Sequence, residues 1–127
     1  MNFAAFMRLS AGPKPAPAAA SVTRGQQAFV NVGCNLCHIA QHTTAKSIFT
    51  NQSSVTFSPF SDFELHDMGT GLQDQISQGQ AEGRTQNLLQ AILAHSSNGS
   101  EANTVIGNFN ALPASSQQDM LNFLRSL

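Results

Sequence analysis

Apolar residues fall in short, separated groups along this chain, and their spacing predicts helices joined by long polar stretches. Phe3, Phe6, Met7 and Leu9 recur at helical intervals, so residues 2–9 are expected to form a short amphipathic arm. Prolines 13, 15 and 17 in GPKPAPAAA then force extended geometry, which makes residues 12–20 a linker and starts the main domain at residue 21. Thr23 and Gln26 have the form of a capping box, predicting a helix from Arg24 to Val32 with Gly25 and Phe29 on one face. From Thr43 to Asp62 neither a helical nor an alternating period persists, and this segment reads as a long ordered loop. A short extended piece from Phe63 runs into a glycine turn at Gly69 and Gly71, and Gly79 and Gly83 keep the following part broken.

Leu88, Leu89, Ile92 and Leu93 restore helical spacing from Asn87 to Ser96, with Thr85 or Asn87 as cap and His95 at the end. The turn SSNGSEAN stops that helix. A last helix is expected to open at the Ser115 to Gln118 capping box and to carry Met120, Leu121, Leu124 and Leu127 on one stripe. The first and last domain helices should pack on each other. The pattern is thus that of a mostly α-helical domain at 21–127, preceded by an arm and linker at 1–20.

With 127 residues the chain fits one folded domain, and only 10% of residues are charged, against a usual share of about 25%. Its net charge is -1 and its six Lys and Arg are scattered, so there is no basic face for nucleic acid. No run approaches the roughly 20 apolar residues of a membrane span. The opening MNFAAFMRLS lacks the basic and continuous apolar parts of a signal peptide, so an export signal is expected to have been removed or replaced.

Both cysteines of the chain lie in one motif, Cys34-Asn35-Leu36-Cys37-His38. Two thiols at this spacing followed by His form the attachment signal of c-type haem: the sulfurs bond the two vinyl groups and the imidazole takes the iron. A redox dithiol, a disulfide, or half of a zinc site with His38 and His42 are the competing chemistries. A dithiol motif wants a preceding strand in a βαβ unit, whereas a helix is predicted here, and the other zinc candidates, His66 and His95, are far along the chain. Nine Phe with no Trp or Tyr suit an apolar shell around a porphyrin.

For the second axial position the donors are His42, His66, His95 and Met68, with an open site as the remaining alternative. His42 lies one helical turn from His38 and does not easily reach the opposite porphyrin face; it reads as a solvated turn residue. His95 shares the inward face with Leu88, Ala91 and Ile92, and a buried imidazole there needs a partner. Met68, in a glycine-flanked loop downstream of the motif, is the alternative ligand. His66 and Asp67 are assigned structural roles, through a His–carboxylate or His–propionate contact that orders the loop. Arg84 is a candidate partner for a haem propionate.

The helix bearing Gly25 and Phe29, with the terminal stripe MLNFLRSL, resembles the two crossed helices of class I cytochromes c. More closely, GCNLCH, SDFELHDMGTGLQD, LLQAILAHSSNGSEA, FNAL and MLNFLRSL together resemble the C-terminal haem domain of a bacterial di-haem oxidoreductase family related to di-haem cytochrome c peroxidases. The resemblance runs over most of residues 21–127. It implies a periplasmic or extracellular, mostly helical module with a class I cytochrome c-like fold, whose long loops surround one covalently bound haem. It further implies a second axial ligand from the helix before the GSEA-like turn, which is His95 here. Two departures accompany it: the family's N-terminal haem domain has no counterpart, so one haem c is expected, and an aromatic-rich stretch is missing between Gly83 and Arg84. Two strong ligands would make the protein an electron carrier serving redox partner proteins. The alternatives are a peroxidase-like enzyme, which needs an open distal face, and a subunit of a larger multi-haem assembly or homo-oligomer formed through the arm or haem edge.

Overall fold

The computed structural model describes residues 19–72 and 85–127. The amphipathic arm, nearly all of the linker, Gly79, Gly83 and Arg84 lie outside them. Among the described residues four helices and one two-stranded sheet make the domain mostly helical, which agrees with the fold class read from the sequence.

Helix α1 spans Ala20–Val32, and Gly25, Ala28, Phe29 and Val32 form its buried stripe at intervals of three and four. It begins four residues before the expected Arg24. The Thr23 N–H is already taken by the Ala19 carbonyl at 3.1 Å, inside the first turn, so Thr23 and Gln26 are helix interior and form no capping box. The helix stops at Gly33, whose N–H bonds back to Val30.

Helix α2 spans Leu88–Leu93 and is capped by the Asn87 side chain, which accepts the Gln90 N–H at 3.1 Å. This helix is shorter than expected, and Ala94 to Ser96 close it as a turn. Helix α3, Asn103–Asn110, begins at the last residue of the SSNGSEAN turn and covers a stretch to which the sequence reading gave no element. Its NTVIGNFN sequence holds Gly107, three Asn and two β-branched residues besides Thr104, a poor helix former in isolation. Burial of Ile106 and Phe109 supplies what propensity does not.

Helix α4, Ala114–Ser126, starts after Pro113, whose carbonyl accepts the N–H groups of Ser116 and Gln117. The Ser115 to Gln118 pair therefore sits within the first turns and is not the cap. The buried stripe is Met120, Leu121 and Phe123, with Leu124 partly buried; Leu127, expected on that stripe, is exposed.

Helices α1 and α4 pack together, as the two stripes require. Gly25 makes the close approach: a Cβ there would stand 2.0 Å from the Asp119 carbonyl oxygen and 2.8 Å from Phe123 Cβ. Phe29 then meets Phe123 edge to face at 5.4 Å, an arrangement contributing about 1 kcal/mol beyond burial. Across the same contact the Arg24 guanidinium grips Asp119 at 2.7 and 3.2 Å. Ala28, Phe29, Val32, Phe109, Met120 and Phe123 form the core, with Cys34, Phe60 and Ile92 packed against it.

The segment expected as a long ordered loop takes part in a hairpin. Strands β1, His42–Thr43, and β2, Thr56–Phe57, pair antiparallel, His42 opposite Phe57 and Thr43 opposite Thr56. Each has only two residues, too few for an alternating pattern to register.

Candidate functional site

Immediately after α1 the chain turns through a 3-10 segment at Cys34–Leu36, closed by the bond from the His38 N–H to the Cys34 carbonyl at 3.0 Å. Cys34, Cys37 and His38 are thereby wound onto one turn at the end of α1. Cys34 packs against the core, and burial pushes its thiol up to about 11; burial, followed by the nearby carboxylates Asp62, Glu101 and Glu64, also raises Cys37. Reactive dithiols depend on lowered thiol pKa values. Both thiols here are held neutral, which disfavours thioredoxin-like chemistry.

A second segment, residues 58–69, is laid against this turn by backbone bonds. The Asp62 N–H donates to the Cys37 carbonyl at 2.9 Å and the Ser61 N–H to the Ile39 carbonyl at 3.1 Å. Phe60 and Phe63 adopt left-handed backbone, φ 50° and 63°, which costs non-glycine residues of order 1–3 kcal/mol each. The Phe60 conformation presents its carbonyl to His38, whose Nδ1–H donates to it at 2.9 Å.

His95 follows α2 and its Nδ1–H donates back to the Ala91 carbonyl at 2.7 Å. The Ser100 hydroxyl in turn bonds the His95 carbonyl, fixing the backbone around the ring. The two imidazoles are neighbours, with ring centres 6.3 Å apart and planes tilted by 57°. Because each Nδ1 is committed to a backbone carbonyl, the Nε2 lone pair of each is left for a ligand. Metal–imidazole bonds of about 2.0 Å, with about 1.1 Å from each nitrogen to its ring centre, put the centres of two imidazoles bound in line on one metal about 6 Å apart. The observed ring-centre separation is compatible with that span.

Other histidines occupy different settings. His42 is a strand residue rather than a solvated turn: its Nε2–H donates to the Ser61 carbonyl at 2.7 Å, and its ring contacts Phe57 and Phe63. His66 lies between two carboxylates, with Nε2 2.8 Å from Asp62 and Nδ1 3.2 Å from Glu101. The same Nδ1 is 3.7 Å from Cys37 Sγ. Hydrogen bonds to Asp62 and Glu101 raise the His66 pKa, while Asp62 is lowered first by the Glu64 N–H and then by His66. Asp67 caps the glycine turn through the Gly69 N–H at 2.8 Å. Met68 is held by its carbonyl, which accepts the Ser97 hydroxyl at 2.9 Å, so its loop lies beside the turn following His95. Gly69 sits tightly here: a Cβ would meet Asn98 O at 2.5 Å and φ is 69°.

Cys37, Asp62 and His66 present donors within 4.8 Å of one another, a set able to hold a divalent metal. That use competes with a thioether at Cys37. Sequence reading singled out His66 but not its partners Asp62 and Glu101, nor the Phe60 carbonyl. The four-residue spacing of Asp62 and His66 was a legible hint, whereas a backbone carbonyl carries no side-chain signal.

No curated protein and no solved structure matches the chain. The family model described as "Di-haem oxidoreductase, putative peroxidase" matches residues 7–89, well over half of the length. The matched span includes Cys34 to His38 and the Leu65 to Gly69 run and ends within α2, before His95. On that match, and on the CxxCH turn it contains, the chain belongs to the di-haem oxidoreductase family.

Proposed function

We propose that this domain carries one haem c, bonded through Cys34 and Cys37 and ligated by His38 and His95, and that it serves as an electron carrier. The observation that supports this most is the neighbouring pair of imidazoles, 6.3 Å between ring centres, with both Nδ1 atoms anchored on backbone carbonyls. The donor set fits the group: two neutral thiols on one turn suit thioether bonds, and two Nε2 lone pairs suit an iron. When bound, the haem supplies one-electron exchange at a fixed ligand set, at a lower potential than His/Met ligation would give.

The protein's own part is to hold those ligands. Phe60 and Ala91 fix the tautomer and direction of the two rings, and the Asp62 and Ser61 amides pin the loop that carries Phe60. Arg84 is proposed as a propionate contact, and Met68 remains the alternative to His95. Exposed Leu36 and Ile39, in and beside the motif, and exposed Phe63 and Leu65, in the segment bonded to it, offer apolar surface that a porphyrin would cover. Periplasmic or extracellular placement, and redox partner proteins, go with c-type haem. Among the described residues no helix is long and apolar enough to cross a membrane. The family also favours a peroxidase-like reading, which requires an exchangeable iron position.

Production of the full chain in a host competent for c-type haem attachment tests the proposal. Its mass should rise by that of one haem, and iodoacetamide should find neither Cys34 nor Cys37. A protein with two alkylatable thiols and no added mass would contradict it.

A further inference from the structure

The turn that joins α2 to α3 holds a dipeptide with a chemistry of its own. Asn98-Gly99 is the one place in the chain where asparagine is followed by glycine. The Ser100 N–H bonds the Ser97 carbonyl at 3.1 Å, so Asn98 and Gly99 are the two corner residues of a β-turn, Gly99 with φ 86°. Both are exposed. Neither the Asn98 side chain nor the Gly99 N–H has a hydrogen-bond partner among the described residues, whereas the carboxamides of Asn87, Asn103, Asn108 and Asn122 are all bonded. The Asn98 main-chain carbonyl, by contrast, is engaged. It accepts the Thr70 N–H at 3.2 Å, and a Cβ on Gly69 would stand 2.5 Å from its oxygen. On either side of the dipeptide, Ser97 fastens the Met68 carbonyl and the buried Ser100 fastens that of His95.

We propose that Asn98-Gly99 is a site of spontaneous modification, at which isoaspartate forms and releases the Thr70 loop from the turn that follows His95. A free carboxamide beside an unbonded amide nitrogen, on a corner where glycine lets the backbone rotate, brings the two reacting atoms together. The Gly99 nitrogen attacks Asn98 Cγ and gives up its proton. The Cγ–Nδ2 bond breaks and that nitrogen leaves as ammonia, so a five-membered imide is formed. Water then adds at one of the two imide carbonyls and breaks its bond to the Gly99 nitrogen. Opening at Cγ yields aspartate, and opening at the main-chain carbonyl yields isoaspartate. The sum is one water consumed and one ammonia released, with no change of oxidation state. In isoaspartate the chain runs through Cγ and is one methylene longer, and the former main-chain carbonyl becomes a free carboxylate. That carbonyl is the acceptor of the Thr70 N–H, so the lengthened chain detaches it from the position the turn now fixes.

The test incubates the purified full chain, folded and in neutral buffer, and follows it by peptide mass analysis that separates isoaspartate from aspartate. Amide hydrogen exchange is read on the same samples. Asn98 should lose its amide nitrogen and give isoaspartate, whereas Asn98→Gln, which would have to close a six-membered ring, should keep its mass at this position. Because Asn98 is exposed and its side chain unbonded, that variant should fold as wild type does. In the isoaspartate form the Thr70 N–H should exchange about fivefold faster, the factor that one lost backbone hydrogen bond represents. Freshly prepared Asn98→Asp carries the new charge without the added methylene, and its Thr70 N–H should exchange as in wild type. An Asn98 that keeps its amide, or that loses it no faster than the exposed Asn110, would overturn the site. Unchanged Thr70 exchange in the isoaspartate form, or equal acceleration in Asn98→Asp, would overturn the release of the loop. Neither readout depends on bound haem, so failure here leaves the electron-carrier reading to its own test.

Discussion

His38 and His95 are 57 residues apart in sequence, yet each spends its Nδ1 proton on a backbone carbonyl, and their rings meet at 6.3 Å. If both Nε2 atoms bind iron, His95→Ala should leave a vacant position that takes carbon monoxide or added imidazole, read as a change from a low-spin spectrum. Retention of the wild-type spectrum in that variant would transfer the role to another donor, Met68 first. His66 makes a second demand at this scale. Its pKa is raised in the folded state by Asp62 and Glu101, so its contribution to stability is complete below the unfolded value near 6.5 and is lost as pH rises through the folded value. Proton resonance titration of its ring should therefore give a midpoint above 6.5, and a midpoint below it would remove the two-carboxylate clamp. In the haem-free chain Cys34, with its thiol pushed up to about 11 from 9.0, should react with iodoacetamide about a hundredfold more slowly than an ordinary exposed cysteine at neutral pH. Much of this level was legible in CNLCH, whose chemistry depends on residue types and spacing alone. What was not legible is the shell around it: the Phe60 carbonyl, the left-handed turn that aims it, and Glu101, which reaches His66 from 35 positions away.

Among the elements, the crossing of α1 on α4 is the contact most easily broken. Gly25→Ala would drive a methyl group into the Asp119 carbonyl oxygen, a backbone atom that cannot swing aside, and the helices must separate. A loss of about 3 kcal/mol is expected, measured as a lowered denaturation midpoint. Arg24→Ala removes an ion pair on the exposed rim of the same crossing and should cost no more than about 1 kcal/mol. Should the two variants be equally stable, the tight glycine contact would be wrong. The periodicity of Phe29 and Met120 made these two helices readable, because a buried stripe imposes its own spacing on the sequence. Helix α3 escaped because its propensity is low and its order comes from Ile106 and Phe109 reaching the core. The hairpin escaped because two-residue strands are specified by pairing partners, His42 with Phe57 and Thr43 with Thr56, and not by a local period.

At the scale of the whole molecule, the CxxCH turn at the end of α1 and the residues after α2 come together because the segment from Phe60 to Met68 is tied to both. Asp62 and Ser61 bond the first, while the Asp67 and Met68 carbonyls receive the Glu101 N–H and the Ser97 hydroxyl of the second. Iron ligation by His38 and His95, as proposed, would close a loop already fastened by backbone bonds. Fixed ligation would favour electron transfer, and it is the property that would separate a carrier from a peroxidase-like enzyme. The most direct measurement is the visible and near-infrared absorption of the purified haem-loaded protein, oxidised and reduced, before and after carbon monoxide. The account predicts a six-coordinate low-spin spectrum that lacks a Met-to-iron band and ignores carbon monoxide, whereas a Met band or a shift on adding the gas would contradict bis-His ligation.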